Sequence, residues 1–430
     1  MQESAVRFYS EFETGTKGRS LPVYYSTLYF GSLFMAGAVC LVVYIFAQLL
    51  FHNILPKDLR SLSLLLIFMV LSSSIYQRLV NFFRAEQRTK LLNTILVTHR
   101  YLGLSLALIF IFRIHKSVPY YYYGIMVAEL AITFSLTLVF IKEKKLGWKY
   151  ISFTFFKECL LFGFPLIGYE LANFLVKSSD RYLIQWFLGI DSVGIYSAGS
   201  NLCLFLRDGL FFPVAYAITP LYLELWKKKG KAATIEFLSR VTNYLLFLVI
   251  PIIFGFAVLA KQVIVLLASA KFEQSAQVIP FILPGALFWG MSPLYAAGLY
   301  IFKQTKKLTL VVFIGVAVNI ILNIVLIPQW GLSGAAVATL FTYLLLTYLL
   351  IRVSGKYMRV EVNFERLTKY IIAAAVMAVV LTRFNFNSDI SAILLEIVLG
   401  GIVYLSVILL IDKNIRSGIY ANIQKHFATT

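Results

Sequence analysis

Residues 308–351 read LTLVVFIGVAVNIILNIVLIPQWGLSGAAVATLFTYLLLTYLLI, two apolar runs on either side of a short turn that contains glycine. Each run, 308–328 and 332–351, has about the 20 residues that an α-helix needs to cross the hydrocarbon core of a bilayer. Ten further runs of the same kind are predicted, at residues 22–51, 61–82, 91–112, 119–141, 159–180, 192–223, 241–260, 276–302, 367–383 and 390–411. The runs are too long, and alternate too little, for the strands of a closed barrel. The sequence therefore predicts an all-α, polytopic integral membrane protein, a helical bundle of about 12 transmembrane helices.

The composition excludes a soluble enzyme. Of the 430 residues, 60% are hydrophobic and 14% are charged, whereas soluble domains are about half apolar and a quarter charged. The polar connections are at most about 15 residues long, which leaves no room for a catalytic domain outside the membrane. The three cysteines lie singly in apolar runs, and neither a zinc-protease motif nor a phosphate-binding loop motif occurs. We therefore expect no enzyme activity, no metal and no cofactor.

The excess of basic residues is explained by their distribution. The chain has 39 lysines and arginines against 20 acidic residues, a net charge of +19. If the two termini and every second connection lie on one side of the membrane, that side carries 27 of the basic residues and the other side 9. Lys and Arg concentrate in cytoplasmic loops. The pattern predicts that both termini are cytoplasmic, and it makes nucleic-acid binding unnecessary as an explanation.

Nine of the charged residues inside or at the ends of the apolar runs are candidates for a functional role, because a mid-membrane charge costs at least about 2.5–3.5 kcal/mol. They are Arg100, Glu129, Glu170, Lys177, Asp180, Arg181, Arg207, Asp208 and Glu396. Such residues mark cavities, pathways or buried pairs. Arg100 and Glu129 lie on consecutive predicted helices and can form one such pair.

The other embedded charges allow two interpretations. Lys177, Asp180 and Arg181 have i,i+3 and i,i+4 spacing, so they either face a polar path or form an ion-pair cluster at the outer interface. Glu170, Arg207 and Asp208 lie deeper in their predicted helices. These three either line a water-filled path or pair internally and fix the packing of the helices.

Two stretches carry more specific patterns. Residues 162–199 read FGFPLIGYELANFLVKSSDRYLIQWFLGIDSVGIYSAG, and residues 319–339 read NIILNIVLIPQWGLSGAAVAT. Glycines in the second stretch allow a tight turn and close helix approach, and asparagines one helical turn apart can hydrogen-bond across helices. The residues that carry the patterns are Pro165, Asp180, Arg181, Gly194, Tyr196, Asn319, Asn323, Pro328, Gly331 and Gly334.

Both stretches resemble the polysaccharide-export members of the multidrug/oligosaccharidyl-lipid/polysaccharide exporter superfamily, the Wzx-type oligosaccharide flippases. The resemblance covers nearly the whole chain and implies a two-lobed transporter fold of the MATE and MurJ type. It also implies movement of lipid-linked O-antigen or capsule repeat units, on undecaprenyl pyrophosphate, across the cytoplasmic membrane of a prokaryote. The implied partners are this substrate, membrane lipids and the polysaccharide polymerase and glycosyltransferases of the same pathway.

The resemblance further implies alternating access driven by an ion gradient, with a cavity whose basic residues hold the pyrophosphate and the sugar. Guanidinium and ammonium groups match phosphate. The candidates for substrate binding are Arg100, Lys177, Arg181 and Arg207. The candidates for ion coupling are Glu129, Glu170, Asp180 and Asp208.

One departure from the family concerns the beginning of the chain. The family usually has fourteen helices, and a stretch like AVRFYSE of residues 5–11 follows the second of them. Here that stretch comes first, so the first two family helices are expected to be absent. The expected organisation is a cytoplasmic segment 1–21, a first lobe of four helices 22–141, a cytoplasmic linker 142–158, a second lobe of six helices 159–351, a helix pair 352–411 and a cytoplasmic tail 412–430.

Three other functions stay open. A drug or small-cation exporter of the same superfamily would need net acidic charge in its cavity, whereas the embedded set here is mixed. A membrane glycosyltransferase or polymerase would need a catalytic group on a substantial outer loop. A non-transporting membrane component of a polysaccharide-assembly complex is the third possibility, and the expected absence of two helices favours it.

Overall fold

A computed structural model describes residues 9, 12, 20–51, 57–302, 304–384 and 390–412, with the side chains at 46–64, 162–166, 169, 212, 216, 220 and 305 outside the description. Its α-helices are α1 Leu21–Phe51, α2 Lys57–Ala85, α3 Thr89–Ile109, α4 Val118–Lys142, α5 Phe153–Leu188, α6 Ile190–Leu267, α7 Ile279–Gly290, α8 Ser292–Tyr295, α9 Ala297–Ile301, α10 Thr305–Gly355, α11 Phe364–Leu381 and α12 Ile390–Ile411. A π-helical turn, Phe110–Ile114, extends α3, and 3-10 helices lie at Trp148–Tyr150 and Ala270–Val278.

Two of the longest helices are broken at a glycine. Gly230 in α6 and Gly331 in α10 have positive φ angles of 76° and 57°, a conformation that glycine adopts without a steric penalty. We refer to the parts of α6 as α6a (190–229) and α6b (231–267). The parts of α10 are α10a (305–330) and α10b (332–355).

The predicted all-α membrane fold is confirmed. The twelve predicted segments coincide with helices, and no strand occurs among the residues that the structure describes. Nine helices of the described part are long and apolar enough to cross a membrane. One of them, Lys306–Gly355, contains both runs of the opening stretch on either side of Gly331. The segment predicted at 276–302 is divided among one 3-10 helix and three short α-helices, and Pro293 lies at the start of α8.

Large apolar side chains are exposed along most of the helices, which distinguishes the protein from a soluble bundle. On α1, for example, Phe34 is 68% and Val42 65% exposed, and on α12 Leu410 is 75% exposed. Helices that are apolar all round are typical of membrane spans, where lipid solvates the outer face. The chain is therefore a multi-pass membrane protein.

The chain divides into two compact units, Met1–Ile167 and Gly168–Thr430. The core of the first unit is an aromatic cluster at one end of α1, α2 and α4. Its central rings are Tyr24, Tyr25, Phe82 and Phe140, with centroids 4.9–5.7 Å apart between neighbours. Elsewhere in the unit α3 and α4 approach so closely that a Cβ atom at Gly124 would lie 2.5 Å from the Ala107 backbone. Glycine at this position permits the contact.

Charged groups just after α2 and α4 lie beside the aromatic cluster. The Lys145 ammonium group lies 2.9 Å from Glu86 and 2.7 Å from Glu143, and the Tyr25 hydroxyl also donates to Glu86. Burial lowers the pKa of Lys145, but its hydrogen bonds to Glu143 and Glu86 raise it by more, so the pKa lies above the ordinary value for lysine. The lysine therefore stays charged, and the ion pairs fix the chain where it leaves α4.

The core of the second unit is larger and joins α6, α7, α10, α11 and α12. Buried aliphatic side chains dominate it, among them Leu238, Val249, Ile279 and Leu287. Within this unit α10a and α10b approach closely beside the turn at Gly331, so that a Cβ atom at Gly334 would lie 2.2 Å from the Leu326 carbonyl oxygen. Glycine is needed at position 334 because any side chain would push α10b away from α10a.

Candidate functional site

In the second unit, the two patterned stretches of the sequence meet at a buried carboxylate. Asp180, near the end of α5, is 4% exposed. Its Oδ2 atom accepts hydrogen bonds from the Tyr196 hydroxyl of α6a at 2.6 Å and from the Thr339 hydroxyl of α10b at 3.0 Å. Neither donor is charged at neutral pH. The carboxylate is therefore held by hydroxyl groups from two other helices.

The same network extends along α10. Asn319, 1% exposed, accepts a hydrogen bond from Ser179 at 2.7 Å and donates one to Thr342 at 3.2 Å. The Asn323 amide group donates back to the Asn319 side chain at 3.0 Å. The network thus connects α5, α6a, α10a and α10b through side chains that are up to 159 residues apart in sequence. We refer to Ser179, Asp180, Tyr196, Asn319, Asn323, Thr339 and Thr342 as the hydroxyl–amide network.

Two oxygen atoms of this network have spare acceptor capacity. Asp180 Oδ1 and Asn323 Oδ1 are buried and accept no hydrogen bond from the residues that the structure describes. Carboxylate, amide and hydroxyl oxygens are the ligands that hard cations prefer, and a proton or a water molecule can also satisfy them. The network therefore has the chemistry of a site for a proton or a hard cation.

A buried arginine lies in the same unit. Arg207 on α6a is 6% exposed, and its guanidinium group lies 2.7 Å from the carboxylate of Asp208, whose side chain is 59% exposed. The arginine side chain is close-packed, since a Cβ atom at Gly290 would lie 2.9 Å from its Cγ atom. Arg207 is therefore a buried cation that pairs with its exposed neighbour on the same helix.

The remaining candidates of the second unit lie nearer the surface. Glu170 and Lys177 on α5 are both exposed. Arg181 is half-buried and donates to the Asn201 side chain at 2.6 Å. The interpretation of Lys177, Asp180 and Arg181 as one surface ion-pair cluster is wrong for Asp180, because its side chain turns inward to Tyr196 and Thr339.

In the first unit, Glu129 on α4 is the buried carboxylate, 8% exposed. It accepts hydrogen bonds from Ser72 at 2.6 Å and from Ser73 at 3.4 Å. His99 Nε2 lies 3.4 Å from the Oε2 atom of Glu129, and the imidazole ring stacks on Tyr76 with centroids 4.1 Å apart. A titratable ring therefore faces a titratable carboxylate.

The suggested pair of Arg100 with Glu129 is not what the structure shows. Arg100 is exposed, and His99, the preceding residue on α3, occupies the position beside the carboxylate. One residue along a helix rotates a side chain by about 100°, so adjacent residues face different directions. The sequence signal for the actual contact is the polar run Ser72–Ser74 inside an apolar helix, together with a histidine in the next one.

The other patterned residues have structural positions. Gly194 is exposed with open space beside it, and Pro328 is exposed in α10, three residues before the break at Gly331. Pro165 lies within α5, but its side chain is outside the described residues. Sequence reasoning missed Ser179, Thr339 and Thr342, because single hydroxyl residues in apolar helices are common and no spacing links them.

Buried carboxylates, a buried arginine and helix breaks at glycine within an all-α bundle define a multi-pass membrane protein with polar sites inside its spans. A family model described as polysaccharide biosynthesis protein matches residues 5–226, just over half of the chain, and the chain belongs to this family. A second model, described as lipid II flippase MurJ, matches residues 187–410. The resemblance to the multidrug/oligosaccharidyl-lipid/polysaccharide exporter superfamily is confirmed.

Two relatives are archaeal membrane proteins. The uncharacterized membrane protein MJ1068 of Methanocaldococcus jannaschii is 26% identical over 315 residues, which cover 71% of this chain and 61% of that protein. The probable low-salt glycan biosynthesis flippase Agl15 of Haloferax volcanii is 22% identical over 262 residues, 58% of this chain and 55% of that protein. The chain thus matches less than two thirds of the length of either relative.

Solved structures show the same fold. The inward closed conformation of lipid II flippase MurJ superposes with a TM-score of 0.75 over 96% of this chain and 88% of that chain, at 19% identity. A point mutant of the Vibrio cholerae MATE transporter VcmN superposes with a TM-score of 0.60, covering 82% of this chain and 81% of that chain at 14% identity. The expected MATE- and MurJ-like fold is therefore confirmed.

Proposed function

We propose that the protein is a flippase that moves a lipid-linked glycan from one leaflet of the membrane to the other by ion-coupled alternating access. The observation that carries the proposal is the pair of family matches, polysaccharide biosynthesis protein and lipid II flippase, which together extend over residues 5–410. The probable glycan biosynthesis flippase among the relatives supports the same substrate class. The buried arginine and carboxylates supply polar groups that such a substrate and a coupling ion require.

For the anionic part of the substrate, Arg207 is the principal candidate. Its side chain is buried against Gly290, while Asp208, its partner, is largely exposed. The Nε and Nη2 atoms of Arg207 lie 2.8 and 2.7 Å from a single oxygen, Oδ1 of Asp208. A phosphate group can replace this carboxylate and accept two parallel hydrogen bonds. Arg100, Lys177 and Arg181 are exposed or half-buried, so they fit an entry or exit position better than a fixed binding site.

For coupling, each unit has one candidate site. Glu129 is the candidate in the first unit, because its carboxylate is buried within a span and lies 3.4 Å from the imidazole Nε2 atom of His99. Asp180 in the hydroxyl–amide network can bind a proton or a hard cation through its free oxygen. Glu170 and Asp208 are exposed and lack the buried hydrogen-bonded surroundings of Glu129 and Asp180, so they are weaker candidates.

The proposed setting follows the charge asymmetry and the family. The protein would lie in the cytoplasmic membrane of a prokaryote with both termini on the cytoplasmic side. The glycosyltransferases and the polymerase that act on the same lipid-linked glycan would be its partners. The relatives and the charge distribution support this placement.

Reconstitution into liposomes with a fluorescent lipid-linked oligosaccharide tests the proposal. The wild-type protein should accelerate flipping, and Arg207→Ala should reduce the rate about tenfold to a hundredfold, the effect of losing about 1.5–3 kcal/mol from a hydrogen bond to a charged group. Arg240→Ala is the matched control, since Arg240 is an exposed arginine paired with Glu236 at 2.7 Å. Arg207→Lys keeps the charge and should give an intermediate rate.

The outcomes separate the alternatives. Wild-type rates in an Arg207→Ala, Lys177→Ala double variant would refute the anion site. Absence of glycan flipping by the wild-type protein, with export of organic cations instead, would identify a drug exporter. Absence of both activities would favour a non-transporting component of the assembly machinery.

A further inference from the structure

Glu396 is a buried carboxyl group with no role in the proposed transport sites. It lies on α12, whose other residues are apolar or uncharged, and it is 1% exposed. The Gln262 amide nitrogen of α6b donates to its Oε1 atom at 3.3 Å. The apolar side chains of Ile393, Leu259 and Val263 form a cluster on the same two helices.

Each side chain of the Glu396–Gln262 pair has one oxygen atom that takes part in no hydrogen bond within the described part of the chain. Glu396 Oε2 and Gln262 Oε1 are both buried, and neither has a hydrogen-bond partner among the residues that the structure describes. If the carboxyl group is ionised, both atoms are acceptors, and no donor in the described part of the chain serves either of them. A buried acceptor without a partner is unfavourable, and more so when it carries a charge.

One added proton gives both of these oxygen atoms a hydrogen bond. When Glu396 Oε2 carries the proton, it donates to Gln262 Oε1 while the Gln262 amide donates to Glu396 Oε1. A carboxylic acid and a carboxamide then form a planar ring with two antiparallel hydrogen bonds. The proton comes from water and returns to water, so no other reactant is needed.

Charged groups on the neighbouring elements do not supply a counter-ion instead. Lys261, beside Gln262, lies 2.7 Å from Glu273. Lys369 on α11 lies 2.7 Å from Glu365, and it is 3.6 Å from Asp412 just after α12. The other charged groups of the two packed helices lie in their amino-terminal turns. They are Lys231, Glu236 and Arg240 on α6b, of which Glu236 and Arg240 pair with each other, and Arg366 on α11. Arg383, two residues after α11, is exposed.

We propose that Glu396 and Gln262 form a proton-binding site that fastens the first turns of α12 to α6b. A second hydrogen bond between these helices, from the Tyr404 hydroxyl to the Phe247 carbonyl at 2.9 Å, does not depend on protonation of Glu396. Release of the proton leaves a carboxylate facing an amide oxygen, and their repulsion loosens the first turns of α12 only. The site is separate from Glu129, Asp180 and Arg207, and it does not require that the protein transports a glycan.

Infrared difference spectroscopy of the purified protein tests the site directly. At neutral pH the wild-type protein should show the C=O stretching band of one protonated carboxyl group that Glu396→Gln abolishes. Glu365→Gln is the matched control and should leave this band unchanged, because Glu365 is exposed and paired with Lys369. A wild-type spectrum identical to that of Glu396→Gln in this region would overturn the proposal.

A second variant keeps the test decisive if Glu396→Gln does not fold. Gln262→Leu removes the acceptor and leaves the acid, so the band should move to higher wavenumber or disappear. An unchanged band in Gln262→Leu would show that the pair does not hold the proton. Both readings are made without a transport assay, so failure here is distinguishable from failure of the flippase proposal.

Discussion

Glu129 in the first unit and Asp180 in the second are both buried carboxylates that accept hydrogen bonds from hydroxyl groups, yet they differ in their remaining neighbours. Glu129 lies 3.4 Å from the imidazole Nε2 atom of His99. Asp180 faces Tyr196 and Thr339, which stay neutral. The first carboxylate therefore has a basic ring within contact distance, whereas the second has neutral hydroxyl donors and an oxygen that accepts no hydrogen bond from the described residues.

The two sites also differ in how the chain builds them. The surroundings of Glu129 come from α2, α3 and α4, three consecutive helices joined by short connections. The hydroxyl–amide network brings together helices from two distant stretches of sequence, and it depends on the close approach of α10a and α10b at Gly334. Damage to the second site should therefore affect the fold more than damage to the first.

The largest effect is expected from Gly334→Ala. The added methyl group would overlap the Leu326 carbonyl oxygen, which is backbone and cannot rotate away, so α10b must shift and the network opens. Overpacking of this type costs about 1–3 kcal/mol. The free energy of unfolding in detergent measures it. Gly194→Ala, at a helical glycine with open space, should be neutral or stabilising, and equal losses in the two variants would contradict the packing argument.

Asp180→Leu should lower the free energy of unfolding by about 2 kcal/mol, because the Tyr196 hydroxyl loses its charged acceptor. Asp180→Asn keeps an acceptor oxygen for Tyr196 and should cost less. The same denaturation measurement compares the two variants, and flipping assays show whether Asp180→Asn also loses its dependence on the ion gradient. If the Leu and Asn variants are equally stable, the carboxylate is not the centre of the network.

Glu129→Gln should leave stability nearly unchanged, since the amide oxygen of the substituted side chain can still accept from Ser72. Its effect should appear in coupling, because an amide cannot take up a proton. Flipping by the variant in liposomes with and without a proton gradient measures this. Equal dependence on the gradient in wild-type and variant protein would remove Glu129 from the coupling scheme.

The smallest effects are expected at the neighbouring residues of α3, where they separate the two possible partners of Glu129. His99→Phe keeps a ring to stack on Tyr76 but removes the nitrogen 3.4 Å from Glu129, so it should weaken the dependence of flipping on a proton gradient. Arg100→Ala should leave that dependence unchanged, because Arg100 is exposed. If Arg100→Ala weakens the dependence and His99→Phe does not, Arg100 is the partner of Glu129, as the sequence suggested.

The sequence predicted the fold class and much of the second site. The length of the apolar runs is sufficient to predict spans, because a bilayer imposes both helix length and apolar composition. The patterned stretches also pointed to Asp180, Tyr196, Asn319 and Asn323 as special positions. They contained no sign that Tyr196 and Thr339 share one carboxylate oxygen, since hydrogen-bond partners on separate helices follow from packing and rotation about the helix axes.

Other sites were beyond prediction for the same reason. Neither the contact of His99 with Glu129 nor the pair of Glu396 with Gln262 follows from any spacing along the chain. In lipid the outer face of a helix is as apolar as the inner face, so periodicity does not reveal which side faces a neighbour.

By itself, then, the sequence determined that this chain is an all-α membrane protein, where its apolar helices lie and that the chain turns at Gly331, because these depend on the solvent and on local backbone sterics. The tertiary structure alone decided which embedded charges meet. Arg207 pairs with its own neighbour Asp208, Asp180 is enclosed by hydroxyl groups, and Arg100 stays at the surface. The physical reason is that a buried polar group must find its partner in three dimensions, and helix packing sets which side chains come within reach.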